Sequence, residues 1–275
     1  MKKNIGIQGI KGSFHHIVAN NHFGEDIYLT EYLSFEELIS NLYNDKIDYA
    51  IMAIENSTAG SIIPNYALID EYGVNIVGEH YLQIKHNLMA LKGQSIEDIK
   101  EVQSHPMALL QCRDFFKDNT DIVLIEEKDT AQVAKKIAEN KIRGLGAIAS
   151  DLASKIYKLD IINDNIQTIK MNQTRFVILQ KKGQTKNLNF NKASVKFELD
   201  HKRGSLAAIL NVVSDCKLNL TKIQSMPKIQ TPWRYSFFVD VTFEKLEDYL
   251  KAKSIIEIMA KDFKVLGEYK NSKDD

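Results

Sequence analysis

The sequence predicts an α/β protein, a larger α/β region followed by a smaller α+β unit. Three observations carry this. Short apolar runs alternate with segments of helical period from Ile5 to Leu179. A polar, basic stretch, KKGQTKNLNFNK, then interrupts the pattern. Beyond it the order becomes strand, helix, two strands, helix, strand, the ferredoxin-like split motif.

Ile5 and Ile7 open the first strand, and the Gly9–Gly12 loop leads into a helix through Phe14, Val18 and Ala19. Ser34 with Glu37 predicts a capping box before Leu38, Ile39 and Leu42. DYAIMAI (48–54) is nearly all apolar, as a strand covered on both faces requires. Residues 62–69 read as helix, and 74–91 alternate like one long strand or two. SHPMALLQCRDFF (104–116) predicts a helix with Ser104 at the cap and Pro106 in the first turn, where proline costs least. DIVLI (121–125) is a strand, Asp129 caps the helix carrying Ala131, Ala134 and Ile137, LGAIA (145–149) is a strand, and a helix starts at Ser150. Such alternation implies crossover units with helices on both sheet faces and binding sites beyond the strand ends.

The boundaries read as a first region over 1–181, a linker over 182–192 and a second unit over 193–272. In the second unit the strands are expected at 193–200, 219–228, 233–243 and 263–269, with helices at 204–215 and 246–260.

With 36 basic and 36 acidic residues among 275, no strong global field is expected, which argues against a nucleic-acid binder. An anionic ligand must therefore be recognised locally. Cys112 and Cys216 sit among apolar neighbours and read as buried free thiols of a reducing compartment. No signal segment and no span of about 20 apolar residues is evident, so a cytoplasmic protein is expected. The seven histidines lack metal-ligand spacing, and no metal or cofactor is expected. Walker, G-x-G-x-x-G and G-x-S-x-G motifs are missing from the sequence, against nucleotide and serine-hydrolase chemistry.

Polar residues gather at four junctions. GIKGSFHH (9–16) offers glycines for close backbone approach and a helix N-terminus for an anion, though it also fits an ordinary tight turn. In IENSTAGS (54–61), Glu55, Asn56, Ser57 and Thr58 are more hydrogen-bonding groups than one cap needs. Ser104-His105-Pro106 is the third cluster. The fourth is NQTRFVIL (172–179), where Thr174 and Arg175 stand at the mouth of a buried strand.

Taken in order, GIKGSF (9–14), AIENSTAGS (53–61), VQSHPMALLQC (102–112), GAIASDLASKIYKL (144–159) and NQTRFVIL resemble the prephenate dehydratase family. RGSLAAILNVVSDCKLNLTKIQSMP (203–227) and YSFFVDV (235–241) resemble an ACT domain, an amino-acid-sensing module. The resemblance implies a catalytic region of two α/β lobes, periplasmic-binding-protein-like with parallel or mixed sheets, its site in the cleft between them. With no preceding chorismate mutase region, the resemblance is to the monofunctional form. It implies conversion of prephenate to phenylpyruvate with loss of carbon dioxide and water, Thr174 holding the key catalytic role.

The dianionic substrate suggests Arg175 as the grip on the pyruvyl carboxylate and Asn56, Ser57, Ser104 and Ser13 as neutral donors. Phe176 would shape the pocket, and Glu55 would orient its neighbours. Met107 stands where the family commonly has glutamine, which removes 107 from the candidate site. Gly204, Ser205 and Leu206 match the family's effector loop, and Gln224 and Ser225 the facing strand, with L-phenylalanine the implied effector. A homodimer or homotetramer is expected from the free edge strands. The alternatives are an arogenate dehydratase and a non-catalytic amino-acid sensor.

Overall fold

The computed structural model describes residues 2–183, 189–200, 202–228, 231 and 234–273. The chain starts with β1 (Asn4–Gln8), α1 (Phe14–Phe23), β2 (Tyr28–Tyr32), α2 (Phe35–Tyr43), β3 (Tyr49–Asn56), the two-residue β4 (Gly60–Ser61), α3 (Ile63–Tyr72) and β5 (Asn75–Gln83). It then crosses into a second lobe of β6 (Asn87–Ala90), β7 (Glu101–Ser104), α4 (Pro106–Gln111), α5 (Arg113–Lys117), β8 (Val123–Glu126), α6 (Thr130–Asn140), β9 (Leu145–Ala149), α7 (Asp151–Tyr157) and β10 (Asp160–Asn163). β11 (Gln173–Gln180) returns to the first lobe. The remainder is β12 (Lys192–Glu198), α8 (Ser205–Asp215), β13 (Asn219–Pro227), β14 (Tyr235–Thr242), α9 (Leu246–Met259) and β15 (Lys261–Tyr269).

The 74–91 segment resolves into two strands because the chain changes sheets at Ile84–His86. The outward and return crossings run side by side, the Ile84 N–H donating to the Asn172 carbonyl at 2.7 Å. β11 therefore enters the first sheet against the direction of its neighbours, antiparallel to both β3 and β5. That makes the sheet mixed, while β1 with β2 and β3, and β7 with β8 and β9, keep the parallel crossover pattern. The second lobe has its own sheet in the order β10-β6-β9-β7-β8.

The C-terminal strands run in the order β13-β14-β12-β15, the order of a ferredoxin-like βαββαβ unit. Their sheet extends the first lobe's through a contact of β15 with β5 at Gly267 and Ile76. Phe238, Leu266 and Tyr269 join the apolar core built by α2, α3 and β3, so this unit packs firmly on the first lobe. Of the expected linker, residues 184–188 lie outside the described residues, and the strand already begins at Lys192, whose side chain is buried.

Apolar periodicity explains the helices. In α2, Leu38, Ile39 and Leu42 are buried, Ser34 accepts from the Glu37 N–H, and Glu37 reaches the Leu33 N–H. Cys112 and Cys216 are free and buried, and burial pushes the Cys112 thiol up to about 12.

Candidate active site

Two glycines bring the lobes together. Gly12 has φ 92°, and a Cβ there would lie 2.9 Å from the Ala153 Cα of the second lobe. The Ser150 hydroxyl donates to the Gly12 carbonyl at 2.5 Å. Gly9, with φ 90°, leaves room for the Asp129 carboxylate, which would stand 2.6 Å from an added Cβ. The close backbone approach expected of this loop is thus made to the second lobe.

Between the lobes lies a cavity of about 320 Å³. Ser13, Asn56, Thr174 and Phe176 line it from the first lobe, and His86, His105, Gln111 and Asp129 from the second. Four of the expected site residues therefore meet. Ser13 caps α1, accepting from the His16 N–H at 3.3 Å. Phe176 packs edge-on against His15, ring centroids 5.0 Å apart.

Asn56 is the best-determined group of the site. Its Oδ1 accepts from the backbone N–H groups of Thr58 and Ala59, each at 2.9 Å. Backbone amides can only donate, so the orientation of this side-chain amide is fixed. Its Nδ2 then donates to the Thr174 Oγ1 at 2.9 Å and to the Asn172 Oδ1 at 2.7 Å. The Thr174 oxygen is thus an acceptor here, and its own hydrogen finds no acceptor among the described residues.

Four expected residues lie elsewhere. On β11, side chains alternate, so Thr174 and Phe176 face the cavity while Arg175 faces the opposite side. Arg175 is 3% exposed, donates through Nε to Glu79 at 2.7 Å and through a terminal nitrogen to the Tyr269 hydroxyl at 2.8 Å, and pairs with Asp240. Buried in these contacts and absent from the cavity lining, Arg175 does not stand where it was expected to grip a substrate carboxylate, and that expectation is corrected. Glu55, its partner across β3, faces the same way and pairs with Lys222 at 2.9 Å. Ser57 straps the start of β11, accepting from the Gln173 N–H at 2.9 Å and donating its own N–H to the Gln173 carbonyl at 2.8 Å. Ser104 ends β7, fully buried, its hydroxyl on the Ile148 carbonyl at 2.7 Å; His105 caps α4 in its place.

Sequence reasoning missed Gln111, His86, His15, Lys128 and Asp129 as cavity residues, and it set aside Met107, which also lines the cavity. Burial lowers the His86 and His105 imidazoles and takes His15 down to about 3, so these rings are neutral near pH 7. Burial raises the Asp129 carboxyl, against the backbone N–H groups of α6 that it caps. Lys128 is the only lysine or arginine lining the cavity, among the described residues.

In the C-terminal unit, Ser205 and Leu206 line a second cavity of about 160 Å³ with Asp200, Lys202, Arg234 and Phe237. Gly204 precedes α8 with φ 83°. Gln224 and Ser225 do not line that cavity; the Gln224 amide donates to the Ser225 carbonyl at 2.8 Å on the outer strand β13.

Fold and cavity together define a two-lobed, periplasmic-binding-protein-like α/β domain with an interlobe cleft in which a few polar groups stand among mainly apolar walls. Residues 5–184 match the family described as prephenate dehydratase. A curated relative, prephenate dehydratase of Methanocaldococcus jannaschii, is 38% identical over 76% of this chain and 77% of its own length. Another, arogenate dehydratase/prephenate dehydratase 2, chloroplastic, of Arabidopsis thaliana, is 34% identical over 96% of this chain and 72% of its own. The crystal structure of prephenate dehydratase from Arthrobacter aurescens in complex with L-Phe has the same fold, with a TM-score of 0.89 at 21% identity, covering 99% of this chain and 91% of that one. The chain belongs to the prephenate dehydratase family.

Proposed function

We propose that the interlobe cleft converts prephenate to phenylpyruvate, carbon dioxide and water, with Thr174 as the donor to the departing ring oxygen. The observation that carries this is the hydrogen bond from Asn56 Nδ2 to Thr174 Oγ1, 2.9 Å long. It uses one lone pair of the threonine oxygen and leaves the hydroxyl hydrogen, which has no acceptor among the described residues, free to turn to the cavity, where charge develops as hydroxide leaves. An alcohol is too weak an acid to be a free proton reservoir near pH 7, so Thr174 stabilises the leaving oxygen while one proton taken up from bulk solvent, passed through cleft water, converts the departing hydroxide to water. The electron pair of the breaking carbon–carboxylate bond enters the ring, the carbon–oxygen bond breaks, and aromatisation drives both.

The ring carboxylate leaves as neutral carbon dioxide, so tight pairing there would stabilise the ground state and slow the step. The cleft suits this need. Among the described residues one cation, Lys128, lines it, and the first turn of α1, ten residues long, presents unpaired N–H groups. Lys128 and that helix end hold the pyruvyl carboxylate. Phe176 and His15 give the ring an apolar wall.

The C-terminal unit acts as an ACT-type regulatory domain over residues 193–272, with L-phenylalanine as effector in the cavity beside Ser205 and Leu206. The L-Phe complex of the Arthrobacter aurescens protein supports this reading. Strand β13 lies at the open edge of the sheet and supports pairing of two copies into a homodimer or higher assembly. No described helix is long and apolar enough to cross a membrane; the proposed location is the cytoplasm. A second reading, arogenate as substrate, is favoured by the plant relative. Side-by-side turnover of prephenate and arogenate, with and without phenylalanine, tests the substrate and effector readings. Phenylalanine binding without turnover of either compound would leave a sensor protein instead.

A further inference from the structure

We infer that the face of β11 turned away from the cleft borders a second binding site, one for a small oxyanion, between the first lobe and the C-terminal unit. A cavity of about 520 Å³ lies there and shares no lining residue with the cleft. Strand alternation separates the two, since Gln173 and Arg175 line the rear cavity while Thr174 and Phe176 line the cleft. Its cations converge from separate elements. Arg175 stands on β11, Lys192 on β12, Lys222 on β13, and Lys273 beyond the end of β15. Glu55 is the one carboxylate of the lining, among the described residues.

Charge does not balance at this junction. Glu79 and Asp240, behind the lining, pair with Lys192 and Arg175, and Glu55 pairs with Lys222 at 2.9 Å. Four cations thus meet three carboxylates, and Lys273 is the one left over. Its Nζ stands 5.1 Å from the centre of the Tyr81 ring and makes no ion pair among the described residues. The Lys192 Nζ lies 5.7 Å from the centre of the same ring, so two ammonium groups share one aromatic neighbour. Burial lowers the Lys192 and Lys222 ammonium groups in spite of their carboxylates. Desolvated positive charge in excess is what an entering anion relieves.

Neutral donors stand beside the charges. Asn219 and Thr242, opposite each other on β13 and β14, line the cavity. The Ser272 hydroxyl, between Asn271 and Lys273 of the lining, is buried without a partner. Ammonium, amide and hydroxyl groups around one polar space suit phosphate or a small carboxylate, which share charged oxygens as acceptors. An anion held there joins Lys222 and Lys273 of the C-terminal unit to Arg175 of the first lobe, so it stabilises the docked arrangement of the two.

Calorimetric titration of the full chain at fixed ionic strength tests the site, with inorganic phosphate and malonate as probes and chloride as control. Phosphate or malonate should bind once per chain and raise Tm, chloride should do neither, and the tighter of the two names the class of oxyanion. Lys273→Met, a change at an exposed position, should weaken that binding by about tenfold or more, the loss of one charge-assisted contact. Lys128→Met in the cleft and Arg234→Met beside Ser205 should leave it unchanged. Binding that survives Lys273→Met, or that is lost with either of the other two variants, would overturn the assignment. So would phosphate and malonate that bind no better than chloride. None of these outcomes bears on the turnover of prephenate, which is read separately in the cleft.

Discussion

Arg175 and Asp240 form a buried ion pair that joins the strand carrying Thr174 to the C-terminal unit. Arg175 directly follows Thr174 on β11, and Asp240 lies on β14, each less than 5% exposed. Burial alone would raise the Asp240 carboxyl, but the guanidinium and the Ser194 hydroxyl at 2.5 Å outweigh it and hold it below the usual carboxylate range. Glu79, shared with Lys192 at 2.9 Å, and Tyr269 complete the cluster.

The pair predicts a stability phenotype in place of a binding one. Arg175→Met leaves Asp240 and Glu79 as buried charges without their main partner, at a cost of about 3–5 kcal/mol. Arg175→Lys, which cannot fork between three acceptors, should lower Tm while prephenate KM stays within twofold. Thermal melts and steady-state kinetics check this. Raised KM with unchanged Tm would return Arg175 to the substrate.

Lys128 carries the opposite expectation. Lys128→Met should raise KM about tenfold or more with kcat within twofold, because the pyruvyl carboxylate is held equally in ground and transition states. Lys128→Arg should restore much of the affinity. A kcat loss at constant KM would place Lys128 nearer the reacting carbons.

His15 predicts a pH effect on stability. Its folded-state value is lowered to about 3 by burial, against about 6.5 when unfolded. Below pH 6.5 the unfolded chain binds a proton that the folded chain refuses, so stability falls with pH until about pH 3. The slope is about 1.4 kcal/mol per pH unit for this one group. Denaturant titrations of His15→Phe should lose that increment of slope between pH 6 and about 4. An identical slope in wild type and variant would mean that the folded protein takes up the proton.

Much of this was legible in the sequence. Every helix and strand of the C-terminal unit falls within a few residues of its apolar pattern, because β12 through β15 each put one face on a single core. Thr174, Asn56 and Ser13 stood out as polar groups at a strand mouth or helix start, while Phe176 and the role of Thr174 came with the resemblance to the prephenate dehydratase motifs. Arg175 was misjudged although strand alternation separates it from Thr174. What lay behind it, Asp240 and Tyr269, is 65 and 94 residues further along the chain. Gln111 lies inside the VQSHPMALLQC motif but was passed over, since a lone uncharged residue in LLQC has no periodic or charge pattern; only the folded crossing of the lobes supplies its partners.

The central claim is that the Thr174 hydroxyl, aimed into the cleft by Asn56, eases the ring oxygen away from prephenate. Measuring phenylpyruvate formation by the wild type and Thr174→Val, which keeps the shape and removes only the hydroxyl, tests it most directly. The account predicts a turning-over wild type and a folded variant whose kcat is lower by about 10²-fold or more at similar KM. A valine variant that keeps most of the wild-type kcat would contradict it.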